Sequence, residues 1–353
     1  SEPDTLSTAN LARQAGVAAV LADYYVLTGD PRARPALERL LEAFRRHSLP
    51  IGKGRMQGLI EKTRILSMPV GRYKIRNALK RLGLHFDQQG PGKVVSPDKD
   101  YSGAYAGTAA LALLTELRFE QAGGGARFSE LRQAWLNGLM VLRIPGRGFR
   151  GYPTSIDSAP YADGEVWLAL AKYHERYPRD RRLGDMLDDV DDSLMDFYGG
   201  DFNINFYHWG AMAAAARYAT SRDVRFLDFI KRQTRAFLDR RRKPDSNNDC
   251  ASAEGLADAL AALVRAGQGD SALAGRVRAW IAREMNKARG LQIQHGQKEL
   301  LFTNAHLVAP RLEGFAGSFL AGKDTLKTQV DYTGHCVSAM IKLQRLSRTV
   351  SGD

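Results

Sequence analysis

Two hydrophobic patterns take turns along this chain. In one, Ala, Gly and Leu run almost without interruption through a helix length. In the other, apolar residues return at i, i+3, i+4 and i+7 with charges between them. The two occur in pairs: residues 16–44, 107–141, 164–195, 210–238 and 254–285 each hold a nearly apolar helix, a turn and an amphipathic helix, and 314–346 begins a sixth, less regular pair. A helix apolar all round is buried, and one with a stripe covers it. The expected unit is therefore an inner helix backed by an outer one. The turns between them, TGDP, YPRD, TSRD and GQGD, combine Gly or Pro with Asp, which breaks one helix and caps the next.

An open solenoid keeps a tight period and short uniform loops. Here the later pairs start at irregular spacing, and their connectors at 146–165, 198–209, 243–254 and 292–315 are long and rich in Tyr, Gly, Asn, Arg and His. Long polar connectors at one end of every inner helix read as a functional face on a rigid scaffold. The expected fold is all-α, an (α/α) toroid of about six helix hairpins. The expected organisation is one domain over 1–353, with an insertion at about 45–100 holding one or two helices and an ordered loop.

Composition changes this picture little; charge changes it more. The 44% hydrophobic and 25% charged residues are ordinary for a globular chain. No run approaches the ~20 apolar residues of a membrane span, so no membrane partner is expected. A periplasmic location is expected, with a signal peptide already removed. The 51 Lys+Arg against 39 Asp+Glu leave a net charge of +12, which attracts polyanions. Between Lys53 and Arg81 nine bases face Glu61 alone, and a second cluster joins Arg235 to the run Arg240–Lys243. Cys250 and Cys336 are too few for a zinc site or a disulfide scaffold. They read most simply as buried thiols, with a single bridge in an oxidising compartment as the alternative.

No phosphate loop, dinucleotide fingerprint, HExxH helix, metal-ligand cluster or GxSxG elbow is present, so no cofactor and no metal are expected. Catalysis then falls to Tyr, His, Arg, Asn and carboxylates of the connectors. The densest segment is DFNINFYHWG, where Asn205, Tyr207 and His208 precede an Ala-rich helix. Amide, phenol and imidazole suit proton abstraction beside a carboxylate, because donors aimed at that carboxylate stabilise the enolate-like state. Arg147, Arg150 and Tyr152 in GRGFRGYP add guanidinium forks for a carboxylate. Tyr161, Glu165, Asn248, His295, Arg311, Tyr332, His335, Lys53, Arg55 and Arg72 complete the expected substrate contacts. Trp135, Trp167 and Trp280 stand at core spacing.

The run from Asn205 to Trp209, followed by a small-residue helix, resembles the NNHxYW segment of toroid polysaccharide lyases acting on uronic-acid glycans. In general character the chain is most similar to periplasmic lyases that degrade Vi-type capsule. Its segments at 27–31 and 314–340 more distantly resemble glucuronyl carbon-5 epimerases. In that resemblance Asn205 takes the place of the carboxylate-neutralising Asn, while Phe206 stands where the family has His and His208 where it has Tyr. The resemblance implies β-elimination on an acidic polysaccharide by a monomer, with Asn205 and Arg150 neutralising the uronate and Tyr152, Tyr207 or His208 as base. Three other readings stay open. An epimerase shares the first half-reaction. A glycoside hydrolase would use two carboxyls among Asp163, Glu165, Asp249, Glu254, Glu313 and Asp331. A polyanion-binding scaffold is the non-enzymatic reading, and nucleic acid is the less expected polyanion because no known module is recognisable.

Overall fold

A computed structural model describes residues 10–54, 86–244, 246–303 and 305–351. Chain contacts divide it into two compact units, Ser1–Ala213 and Ala214–Asp353.

In the first unit the hairpins are α1 (Leu11–Thr28) with α2 (Ala33–Arg46), α3 (Ala106–Gln121) with α4 (Ser129–Leu142), and α5 (Pro160–Arg176) with α6 (Arg181–Gly199). Helix α7 (Ile204–Ser221) carries the chain into the second unit. The difference between inner and outer helices is physical. Thirteen of the 16 residues of α3 are buried, whereas α2 buries only Ala33, Leu37, Leu41 and Phe44, a single stripe. Helix α1 packs on α3 and α3 on α5, with α2, α4 and α6 each lying against an inner helix. Caps set the ends. The Asn10 side chain accepts from the Ala12 N–H at 2.8 Å, and Gly29 closes α1 at φ 66°, a left-handed conformation that glycine adopts without Cβ strain. Asp180 caps α6 by accepting from the Leu183 N–H.

The insertion is anchored by strands that the helical periodicities did not announce. Strand β1 (Ser48–Gly52) pairs antiparallel with β2 (Asp87–Val95). A two-residue pair, β3 (Arg143–Ile144) and β4 (Gly148–Phe149), follows α4. Strand β2 lies so close to α4 that a Cβ on Gly138 would sit 2.0 Å from the Lys93 carbonyl oxygen, so only glycine fits there. Tyr101 donates to the Pro50 carbonyl at 2.6 Å, and the Trp135 indole donates to Ser48 Oγ at 2.9 Å, which ties strand and helix together. The helices expected within 55–85 lie outside the described residues.

The second unit contains α8 (Val224–Arg240), α9 (Cys250–Arg265), α10 (Ala272–Leu291) and α11 (Val330–Ser351). The sixth pair departs from the expected hairpin. Its first half is replaced by the strand pair β7 (Leu320–Gly322) with β8 (Thr325–Thr328), and the connector before it holds the pair β5 (Glu299–Leu301) with β6 (His306–Val308) and a 3-10 turn at Leu312–Phe315. Only then does α11 pack along α9. Among the described residues there are eleven α-helices. The cysteines are not free thiols: Cys250 at the start of α9 is bridged to Cys336 on α11. Trp135, Trp167 and Trp280 are fully buried, as their spacing required. No described helix is long and apolar enough to cross a membrane.

Candidate active site

In the first unit the polar groups that converge lie where α3, α5 and α7 begin. Glu165, one turn into α5, is only 6% exposed. The Tyr105 hydroxyl, from the residue before α3, lies beside its carboxyl and favours the charged form, while Oε2 is buried without a hydrogen-bond partner among the described residues. Burial raises its pKa to about 8, with the Tyr105 hydroxyl offsetting part of the shift, so it is mostly neutral at pH 7. Burial and the adjacent carboxyl push the Tyr105 phenol far above its ordinary range, which makes it a fixed donor.

The cavity for this acid is cut by glycine. A Cβ at Gly107 would fall 1.8 Å from Glu165 Oε2 and 2.4 Å from the Tyr105 ring. Tyr105 also stands against Tyr152, ring centroids 5.4 Å apart. Tyr161, four residues before Glu165 and so on the same face of α5, meets His208 edge-on at 5.7 Å. Tyr152 and Tyr161 are 40% and 45% exposed. The result is a buried neutral carboxylic acid with two exposed phenol rings at its rim.

Asp163 belongs to a different surface. Two residues from Glu165 along a helix, it points about 200° away. It accepts from the Phe149 N–H at 2.6 Å and the Tyr198 hydroxyl at 2.5 Å and is completely buried. Burial raises its pKa to about 7 against the pull of those two donors. A Cβ on Gly148 would strike its Oδ1 at 2.3 Å. This carboxyl fastens β4 and α6 to α5.

Other expected residues of this unit spread out. Asn205 is exposed at the start of α7, where its N–H is capped by Asn203 Oδ1 at 2.9 Å. Tyr207 and His208 are buried, Tyr207 beside Phe202 and His208 between Tyr161 and Trp209. Phe206, at the position given to a histidine by the lyase resemblance, stacks on Tyr198 at 3.7 Å in the core. Arg150 is 2% exposed and donates to the Val141 carbonyl at 3.4 Å, so its fork is sunk in the α4–β4 turn rather than presented as a clamp. Arg147 lies over the Phe197 ring. Lys53 is exposed just past β1. Arg55 and Arg72 lie outside the described residues.

In the second unit the expected residues serve several structures. Asn248 accepts from the Cys250 N–H at 3.1 Å and donates to the Leu320 carbonyl at 3.3 Å. His295 pairs with Glu313 in the open, and Arg311 is exposed before the 3-10 turn. Tyr332 is half-buried at the start of α11. His335 meets the buried Glu254 at 2.8 Å, and Ser338 donates to the same carboxyl at 2.5 Å. Burial would raise Glu254, but Lys342, His335 and Ser338 outweigh it and hold the pKa at about 2. Among the described residues no group of three or more His, Cys, Asp or Glu is placed to hold a metal ion.

Tyr105 was missing from the sequence expectation. A signal for it existed: Tyr105-Ala-Gly, Tyr161-Ala-Asp-Gly, Tyr207-His-Trp-Gly and Tyr332-Thr-Gly all open apolar helices, so tyrosine followed by glycine marks these helix starts.

No family model and no curated protein sequence matches the chain. Solved structures do. A GH76 alpha-mannanase of Bacteroides thetaiotaomicron superposes with a TM-score of 0.60 at 10% identity, over 98% of this chain and 88% of that one. The GH76A alpha-1,6-mannanase of Salegentibacter sp. gives 0.57 at 11% identity over 97% and 91%. An inactive variant of the latter, in complex with alpha-1,6-mannotetrose, gives 0.56 at 12% over 96% and 89%. The fold is thus the all-α (α/α) toroid class of these enzymes, as the helix pattern led one to expect.

The expectation of a polysaccharide lyase is overturned. The structures that share this fold over nearly the whole chain are glycoside hydrolases. The physical reason the resemblance misled is local. The Asn205–Trp209 run is a helix start whose aromatic residues pack inward, and the arginine assigned to the uronate is buried in a turn.

Proposed function

We propose that this protein is a glycan-processing enzyme of hydrolase type, with Glu165 as the acid that protonates the departing glycosidic oxygen. The observation carrying this reading is the Glu165 carboxyl, buried near the exposed rings of Tyr152 and Tyr161, with burial raising its pKa to about 8. A raised carboxyl pKa is what proton delivery to a leaving oxygen at neutral pH requires. Exposed phenol rings offer apolar faces for sugar rings and hydroxyls for their hydrogen bonds. Likeness to enzymes named for alpha-1,6-mannan supports a neutral glycan as the first substrate to try. So does the burial of Arg150, the fork expected to neutralise a uronate.

Variants of the Salegentibacter mannanase are described as inactive with two consecutive aspartates replaced. In this chain consecutive aspartates occur at Asp188–Asp189 and Asp191–Asp192 only. Both pairs lie on α6, where Asp191 accepts from the Trp167 indole at 2.6 Å and Asp189 pairs with Arg143. Asp163 is likewise engaged, by the Phe149 N–H and the Tyr198 hydroxyl, which favours Glu165 as the acid.

Coverage of 98% of the chain by one mannanase supports a single toroid over 1–353. The Cys250–Cys336 bridge supports folding in an oxidising compartment such as the periplasm. The test is release of reducing ends from alpha-1,6-mannan and a panel of neutral and uronate polymers, comparing wild type with Glu165→Gln. Cleavage by wild type and its loss in the variant support the reading. Full activity in Glu165→Gln, or no cleavage of any glycan by wild type, overturns it.

A further inference from the structure

The net positive charge of this chain is not shared evenly. Residues 214–353 hold 23 Lys+Arg against 14 Asp+Glu, which is nine of the twelve excess charges. Seven of those bases fall between Lys231 and Lys243, with Asp239 as the one acid among them. The run Arg240–Lys243 leaves the end of α8 and lines, with Asp239, a cavity of about 310 Å³. That volume is at the small end of ligand sites, about right for one or two sugar rings.

This corner is pinned in shape. The Arg241 N–H bonds back to the Phe237 carbonyl at 2.8 Å. The Arg241 carbonyl accepts from the Trp280 indole at 3.0 Å, and the Arg242 carbonyl accepts from Arg283 at 3.1 Å. The neighbouring acids are already engaged. Asp239 accepts from Arg276 at 2.7 Å, Asp249 takes Arg241 at 2.9 Å, and Glu284 pairs with Lys287 at 2.7 Å. Arg242 and Lys243 are exposed and, among the described residues, have no carboxylate partner. A last-turn base such as Arg240 is explained by the helix dipole. Arg242 and Lys243 lie beyond the helix and are not. Adjacent like charges held on a fixed loop repel one another, and an external anion relieves that repulsion.

We propose that the Arg240–Lys243 corner binds an anionic polysaccharide through its carboxylate or sulfate groups. The choice of occupant follows from what surrounds it. The cavity is lined by Asp239 to Lys243, all charged, with no aromatic or aliphatic residue among them. That lining offers no ring on which to stack the bases of a single-stranded nucleic acid and no apolar wedge for a bilayer surface. Charge without apolar contact suits a hydrated, flexible polymer whose anions are spaced along it. This binding does not rest on the role of Glu165.

Fluorescence anisotropy with labelled polygalacturonate and dextran sulfate oligomers tests it, with neutral dextran, single-stranded DNA and phosphatidylglycerol vesicles as comparisons. The full chain is compared with Arg240→Glu/Arg242→Glu/Lys243→Glu and with Arg179→Glu/Arg181→Glu/Arg182→Glu, an equal charge change at exposed positions of the other unit. The expected result is salt-sensitive binding of the anionic oligomers that weakens at least about tenfold in the first variant, with a shallower salt slope, and less than twofold in the second. The milder Arg242→Gln/Lys243→Gln serves if the triple variant melts early. Equal weakening in both triple variants, no oligomer binding by wild type at low salt, or tighter binding of DNA or vesicles overturns the proposal.

Discussion

Removing the Cys250–Cys336 bridge should cost the second unit most of its margin of stability. The bridge closes 86 residues of chain. The chain-entropy relation for a loop of that length gives about 4.6 kcal/mol at 25 °C, the stabilisation lost when the unfolded state is freed. Both cysteines are fully buried with Ala288 and Phe319, and Glu254, one turn along α9 from Cys250, meets His335, the residue before Cys336. A Cys250→Ala/Cys336→Ala chain keeps the volume apolar and also removes the Asn248 amide's contact with the Cys336 sulfur at 3.4 Å, but that amide keeps the Leu320 carbonyl, so most of the loss reads out the cross-link. In hydrogen exchange monitored by mass spectrometry, slow amides of α9 and α11 should exchange about 10³-fold faster, equivalent to about 4 kcal/mol. Dithiothreitol on wild type should reproduce the change. An acceleration below about fivefold, or under 1 kcal/mol, would refute the reasoning, because the bridge would then sit in a unit held by packing alone.

Other expectations follow from the carboxyls and glycines. Glu165→Gln should lower glycan cleavage by roughly 10²–10⁴, and the wild-type rate should fall as pH rises through about 8, where Glu165 loses its proton; a rate flat to pH 9 would contradict the acid role. Gly107→Ala should cost about 1–3 kcal/mol in urea unfolding and reduce kcat, since the added methyl takes the place of the Glu165 carboxyl. Stability should answer pH oppositely in the two units. Glu165 and Asp163 have raised folded pKa values, so their contribution is complete below the ordinary carboxylate range and is lost as pH rises toward about 7 to 8. Glu254 is lowered to about 2, so its contribution stands above the ordinary range and is lost as pH falls toward 2. Unfolding of Glu165→Gln and Glu254→Gln across pH 3 to 9 checks both signs.

The helix pairs were legible in the sequence because burial of a helix is written in its own residues. An unbroken Ala and Leu surface has nowhere to go but inside, and a four-residue stripe such as Ala33, Leu37, Leu41 and Phe44 can face only one way. Turn and cap residues such as Gly29 and Asp180 were readable for the same local reason. The neutral state of Glu165 was not, since it comes from burial among elements distant along the chain, against the opposing pull of Tyr105 60 residues away, in space left by the missing side chain of Gly107. Arg150 and Glu165 are equally polar on paper, yet one is sunk beside the Val141 carbonyl and the other stands behind a tyrosine rim. Nor could two distant cysteines announce their bridge, or a run of bases the acids already engaged around it. Periodicity is a property of neighbours along the chain, whereas desolvation, pairing and charge compensation are set by neighbours in space, and these only the tertiary structure supplies.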